Sequence, residues 1–157
     1  MSRGSFRKAA LAGCALVLLT AAPAAALDIP SRGPDLLLVR PAPVAFDSGG
    51  RAVVHAHVVN DGDAPTTAPF TLVLQLPPGV FVSGPFSPSS CQPQPFGHTV
   101  SCAFPAGLRP GRTDSADIPV FIDQGLAPGE LSGELRLDPT GGSPTRDNPA
   151  PVRLIVC

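Results

Sequence analysis

Tryptophan and tyrosine are absent from the 157 residues, lysine occurs once, at Lys8, and only 15% of residues are charged. Without Trp or Tyr the chain has few platforms on which bases or sugar rings can stack. A net charge of −1 supplies no field for a phosphate backbone, so no nucleic acid partner is expected. Proton-transfer groups are as scarce, with three His and no Tyr. Ser89, Ser90 and Ser101 stand near His98 in sequence but lack a Gly-x-Ser-x-Gly elbow or any other embedding motif. Neither an enzyme nor a cofactor is expected from this inventory. What the chain has in quantity is proline and glycine, 37 of 157 residues, set against a 43% hydrophobic fraction. Disordered chains combine low hydrophobicity with high charge, and this one does the reverse.

The N-terminus supplies an address. Arg3, Arg7 and Lys8 precede an apolar run over residues 9–19, and small residues at 22–26 follow. That order is a secretory signal, with residues 1–26 removed after Ala24-Ala25-Ala26. The run is shorter than the ~20 residues a membrane span requires, so no stable membrane anchor is expected after cleavage. Leu11-Ala12-Gly13-Cys14 spells the box that precedes lipid attachment, but using it would leave only residues 9–13 as the apolar region. Eight Arg against twelve Asp plus Glu then give residues 27–157 a net charge of −4.

Export places the remaining thiols where disulfides persist. Cys91 and Cys102 bracket Gln92-Pro93-Gln94-Pro95-Phe96-Gly97, a turn-rich loop that would bring them within bridging distance. The count is odd. Cys157 therefore stays free, pairs with a second chain to give a Cys157-linked dimer, or displaces one of the other two.

No window sustains a helical period. Apolar residues alternate with period two and are interrupted by Pro or Gly roughly every ten residues, the pattern of a sandwich. Strands are expected over 36–39, 51–60, 70–76, 80–82, 98–103, 113–123, 130–137 and 152–156. Seven to eight strands in this arrangement predict an all-β, immunoglobulin-like Greek-key β-sandwich spanning 35–157. Residues 27–34 read as a flexible mature N-terminus. Pro119 suggests that its strand lies at a sheet edge, where a missing N–H costs nothing. Phe46, Phe70 and Phe104 are expected in the core. Phe81, Phe86 and Phe96, with Pro85, Pro88, Pro93 and Pro95, flank the loop around the cysteine pair, an apolar segment that either packs over the sandwich edge, the commoner outcome, or offers a contact surface.

Two groups of side chains could hold metal. His55 and His57 are two apart on a strand and so point to one face, opposite Ala52, Val54, Ala56 and Val58. Such a pair can share Zn²⁺ or Cu²⁺, although a complete site takes three or four ligands. Loops at one end of the predicted sandwich would also gather Asp61, Asp63, Asp138 and Asp147, oxygen donors of the kind Ca²⁺ requires. The same Asp residues serve equally well as turn formers that bond their own backbone.

The order of motifs is familiar. Asp35-Leu36-Leu37-Leu38, Asn60-Asp61-Gly62, Leu76-Pro77-Pro78-Gly79-Val80-Phe81-Val82, Cys91 with Val100-Ser101-Cys102, Leu108-Arg109-Pro110-Gly111 and Asp147-Asn148-Pro149-Ala150 succeed one another along the chain. In this the sequence resembles the conserved-repeat domain of unknown function found in bacterial and archaeal surface proteins. Ala68-Pro69-Phe70 after the Asn-x-Gly turn is similar to the related cell-adhesion-related domain found in bacteria. The resemblance implies an immunoglobulin-like module with a structural or protein-binding role at the bacterial cell surface or exterior, engaging a protein partner there. Some such relatives carry a Lys-Asn isopeptide crosslink, which residues 27–157, having no lysine, would be unable to form. One copy is present and no sorting motif follows Cys157, so wall anchoring by that route is not expected.

Overall fold

A computed structural model describes residues 30–47 and 49–157, and the expected signal segment with Cys14 lies outside them. The described chain is all-β. Its strands are β1 (Leu36–Val39), β2 (Val44–Phe46), β3 (Arg51–Asn60), β4 (Phe70–Gln75), β5 (Val80–Val82), β6 (Cys91–Pro93), β7 (Thr99–Phe104), β8 (Thr113–Ile122), β9 (Gly129–Pro139), β10 (Thr145–Arg146) and β11 (Ala150–Val156). Eleven strands replace the seven to eight expected because β2, β6 and β10 are only two or three residues long. Segments that short carry no alternation to detect.

The strands form two sheets, in the orders β10-β1-β3-β8-β5 and β2-β11-β9-β4-β7-β6. Every connection crosses from one sheet to the other except the β6–β7 hairpin. The result is an interlocked β-sandwich.

Alternation decides what lies between the sheets. Val54, Ala56 and Val58 of β3, Ile118, Val120 and Ile122 of β8, Leu72 and Leu74 of β4, and Leu135 and Leu137 of β9 are all buried. Each fully buried aliphatic side chain of this kind contributes about 1.5–3 kcal/mol. Phe70 and Phe104 stack at 5.2 Å across β4 and β7, and Phe46 joins the same core.

The edge placement of Pro119 is overturned, because β8 pairs with β3 along its length and with β5 at residues 120–122. The ring is tolerated for a local reason. The Pro119 carbonyl accepts from Ser83 N–H, so its nitrogen faces the same side, where the ladder is interrupted until Ser87 bonds Asp117. No donor is needed there.

Within the segment expected as the mature N-terminus, Ser31–Gly33 is hydrogen-bonded to Asp63. The carboxylate accepts from Ser31 Oγ, Arg32 N and Gly33 N, each at 2.8 Å. Local sequence conceals this, since the tether comes from some thirty residues away. Gly62 allows the approach. A Cβ there would lie 2.1 Å from the Gly33 carbonyl oxygen and 2.6 Å from Asp35 N.

Candidate functional site

The β6–β7 hairpin is built around Cys91 and Cys102, which face each other in register and form a disulfide. Both are buried. Beyond them the chain reverses at 94–97, where Gln94 N donates to Thr99 O and Gly97 N to Gln94 O. Phe96 and Gly97 at this turn both adopt left-handed backbone, φ 74° and 71°. The Phe96 side chain projects away from the protein and is 89% exposed, the one large apolar residue so exposed among the described residues.

This hairpin belongs to the second sheet but is sewn to β5 of the first. Val82 N donates to Gly97 O at 2.7 Å, and His98 Nδ1 donates to Val80 O at 2.8 Å. The His98 ring lies 4.5 Å from Phe81, which in turn stacks on Phe121 at 5.2 Å. Phe81, Phe121 and His98 thus line one corner of the sandwich, with Gly97, the neighbour of Phe96, lying against Phe81. Phe86 is half-buried and packs against the core, the commoner of the two outcomes expected for this loop.

The outer face of the second sheet is polar. On the outer face of β9, β4 and β7 a shallow groove of about 510 Å³ is lined by Thr71, Gln75, Thr99, Ser101, Glu134 and Arg136, among others. Ser90 Oγ donates to Ala103 O and His98 Nδ1 to Val80 O, and none of Ser89, Ser90 and Ser101 is hydrogen-bonded to that imidazole.

His55 and His57 do project from the outer face of β3, and each meets the residue directly opposite on β8. His55 Nδ1 lies 2.7 Å from Asp117 Oδ1, and His57 Nδ1 lies 2.8 Å from Ser115 Oγ. His98 belongs to a different corner. Among the described residues no three His, Cys, Asp or Glu side chains converge on one point as metal ligands.

The four aspartates proposed for calcium are distributed. Asp63 is occupied by the N-terminal segment, and its carboxyl is held below 3.8, first by the Arg32 N–H and then by the Ser31 hydroxyl. Asp61 pairs with Arg146, whose Nε also lies 2.9 Å from Asp35. Asp147 follows Arg146 in the turn between β10 and β11, with φ 53°. Asp138 sits apart on β9, paired with Arg136 at 3.0 Å.

Sequence reasoning missed the polar clamps. Asn60 is fully buried; its Oδ1 accepts from Asp35 N and Gly62 N, while Nδ2 donates to Ala64 O and Leu108 O. Buried Thr66 accepts from Gly107 N and Leu108 N, and Asn148 exchanges two bonds with the Leu137 backbone. Asn-Asp-Gly was legible as a turn. That its Asn caps a loop 48 residues away was not.

No family model matches the chain, and no curated protein matches it in sequence. Solved structures do. CaCohA2 from Clostridium acetobutylicum is similar with a TM-score of 0.55 at 11% identity, covering 78% of this chain and 90% of that one. A chain of a type I cohesin–dockerin complex from Clostridium thermocellum, containing Coh-OlpA, gives 0.53 at 10% identity over 78% and 99%. The CARDB domain of a Pyrococcus furiosus protein, solved with di-metal ions, gives 0.51 at 13% identity over 83% and 94%. These likenesses define the class of fold, a β-sandwich shared with cohesin and CARDB modules. Among the described residues no helix is long and apolar enough to cross a membrane.

Proposed function

We propose that this chain is a secreted, non-catalytic protein-binding module of the bacterial cell surface or exterior, and that its partner docks on the Phe96 corner. The observation that carries this reading is the exposure of Phe96 on a hairpin fixed by a disulfide and by bonds to β5. Large aromatics contribute most to association when they are held in place before binding, because little side-chain freedom is then lost. The Phe96 backbone is carried on a turn held by the disulfide and by the bond from Val82 N to Gly97 O, so little backbone freedom is lost when a partner covers the ring. The use of a similar sandwich by a cohesin to hold a dockerin supports protein binding as its role here, and the signal-like N-terminus supports export.

Affinity capture from cell-surface extract, comparing the protein with its Phe96→Asp variant, tests the reading. A partner retained by the first and lost by the second, with thermal unfolding unchanged, is the expected result. Identical retention by both rejects the Phe96 corner as the docking site.

A further inference from the structure

We propose that His55 and His57 form a chelating pair for a divalent transition metal, copper above zinc or nickel, on the outer face of the β10-β1-β3-β8-β5 sheet. The proposal is independent of the docking corner. It starts from strand geometry, which places residues two apart on the same face about 7 Å from each other at Cα. Two imidazoles at that spacing can close on one ion.

What favours binding is how the rings are held. His55 Nδ1 sits 2.7 Å from a carboxylate oxygen of Asp117, an acceptor, so the neutral imidazole holds its proton on Nδ1 and presents its lone pair on Nε2. Ser115 Oγ, 2.8 Å from His57 Nδ1, can accept as readily as donate, so the same tautomer is open to His57. No other protein group hydrogen-bonds either ring among the described residues. Both Nε2 atoms are therefore free, with the opposite nitrogen anchored to an oxygen partner. That is the arrangement through which outer-shell groups orient metal-ligating histidines and raise their basicity.

The anchors are themselves fixed. Asp117 and Ser115 stand directly across from the two histidines in the β3–β8 ladder, and the Asp117 backbone exchanges two hydrogen bonds with Ser87. Two nitrogen donors with the remaining positions open to water suit Cu²⁺ best among divalent first-row ions.

Titration with Cu²⁺ alone, in a Cys157→Ser background that removes the exposed thiol, tests the assignment. One ion per chain is expected, with an electron paramagnetic resonance spectrum showing coupling to two imidazole nitrogens. His55→Ala and His57→Ala should each weaken binding at least about tenfold and reduce the coupling to one nitrogen, and Asp117→Ala should weaken it by on the order of tenfold while leaving two. His98→Ala should leave affinity and spectrum unchanged. A spectrum of the unsubstituted face with one nitrogen or none overturns the proposal, as does Cu²⁺ binding that survives His57→Ala undiminished.

Discussion

Asn60 Nδ2 donates to the carbonyl of Leu108 at 2.8 Å, joining the end of β3 to a loop 48 residues further along the chain. The carboxamide makes three more bonds, to Asp35 N, Gly62 N and Ala64 O, so all its donors and acceptors are used while it remains fully buried. One side chain thereby closes three segments that hydrophobic burial alone leaves open.

Substituting Asn60→Ala strands two backbone donors and two carbonyls at once. A loss of about 3 kcal/mol is expected from unpaired groups of this kind, read as a lower urea midpoint. Asn60→Asp should be no better, because it places an oxygen where Ala64 O and Leu108 O require a donor. A midpoint for either variant within error of the parent refutes the role assigned to Asn60.

Asp63 gives a pH prediction. Its carboxyl is held below 3.8 chiefly by the Arg32 N–H, with Ser31 Oγ and Gly33 N adding to the effect. A depressed folded value means that the ionised form favours the folded state, so the contribution is present above 3.8 and is lost as pH falls through the lower folded value. The amide signals of Arg32 and Gly33 should titrate together with a midpoint under 3.8, and in Asp63→Ala they should not titrate. A midpoint at or above 3.8 contradicts the geometry.

How much of this was legible follows from the range of each interaction. Period-two alternation is local, so β3, β4, β8 and β9 are visible from Val54-x-Ala56-x-Val58 and its counterparts. The disulfide was legible as well, since both cysteines belong to one hairpin. Pairing between distant segments was not. Pro119 is compatible with an inner strand only because of a gap between Ser83 and Ser87, and the bonds of Ser31–Gly33 run to Asp63, some thirty residues away. The two histidines were placed on the correct face, but Asp117 and Ser115 as their partners depended on the β3–β8 register.

Removing the disulfide measures how firmly the Phe96 corner is held. The bridge spans 11 residues, and the loss of chain-entropy restraint from a loop of that size amounts to about 3 kcal/mol. Cys91→Ala combined with Cys102→Ala should lower unfolding free energy by roughly that amount. It should also broaden the backbone signals of 94–98 before those of the buried strands. Uniform broadening across the protein would show that the bridge supports the whole core and not this corner.

Cys157 is exposed and unbridged, with its backbone N–H donating to Phe46 O at the end of β11. With the chain exported as proposed, an accessible surface thiol is available to pair with a second chain. Protein recovered without reductant should run on a gel as a dimer that reductant or Cys157→Ser converts to monomer. A monomer in both lanes removes the linked dimer.

Arg146 bears on the calcium reading. Its guanidinium already bridges Asp35 and Asp61, Asp63 is satisfied by N–H and O–H donors, and Asp138 pairs elsewhere with Arg136. The positive charge that such carboxylates would seek from an ion is present in the chain. Addition of Ca²⁺ should therefore leave the thermal midpoint of the protein unchanged. Arg146→Ala should lower it, because Asp35 and Asp61 then face each other without a cation and Asp35 Oδ1 is already buried with no hydrogen-bond partner. The penalty should shrink as salt is added, since screening weakens repulsion between carboxylates near the surface. A rise in the midpoint of the unsubstituted protein on adding calcium would restore the aspartate site and displace Arg146 from this role.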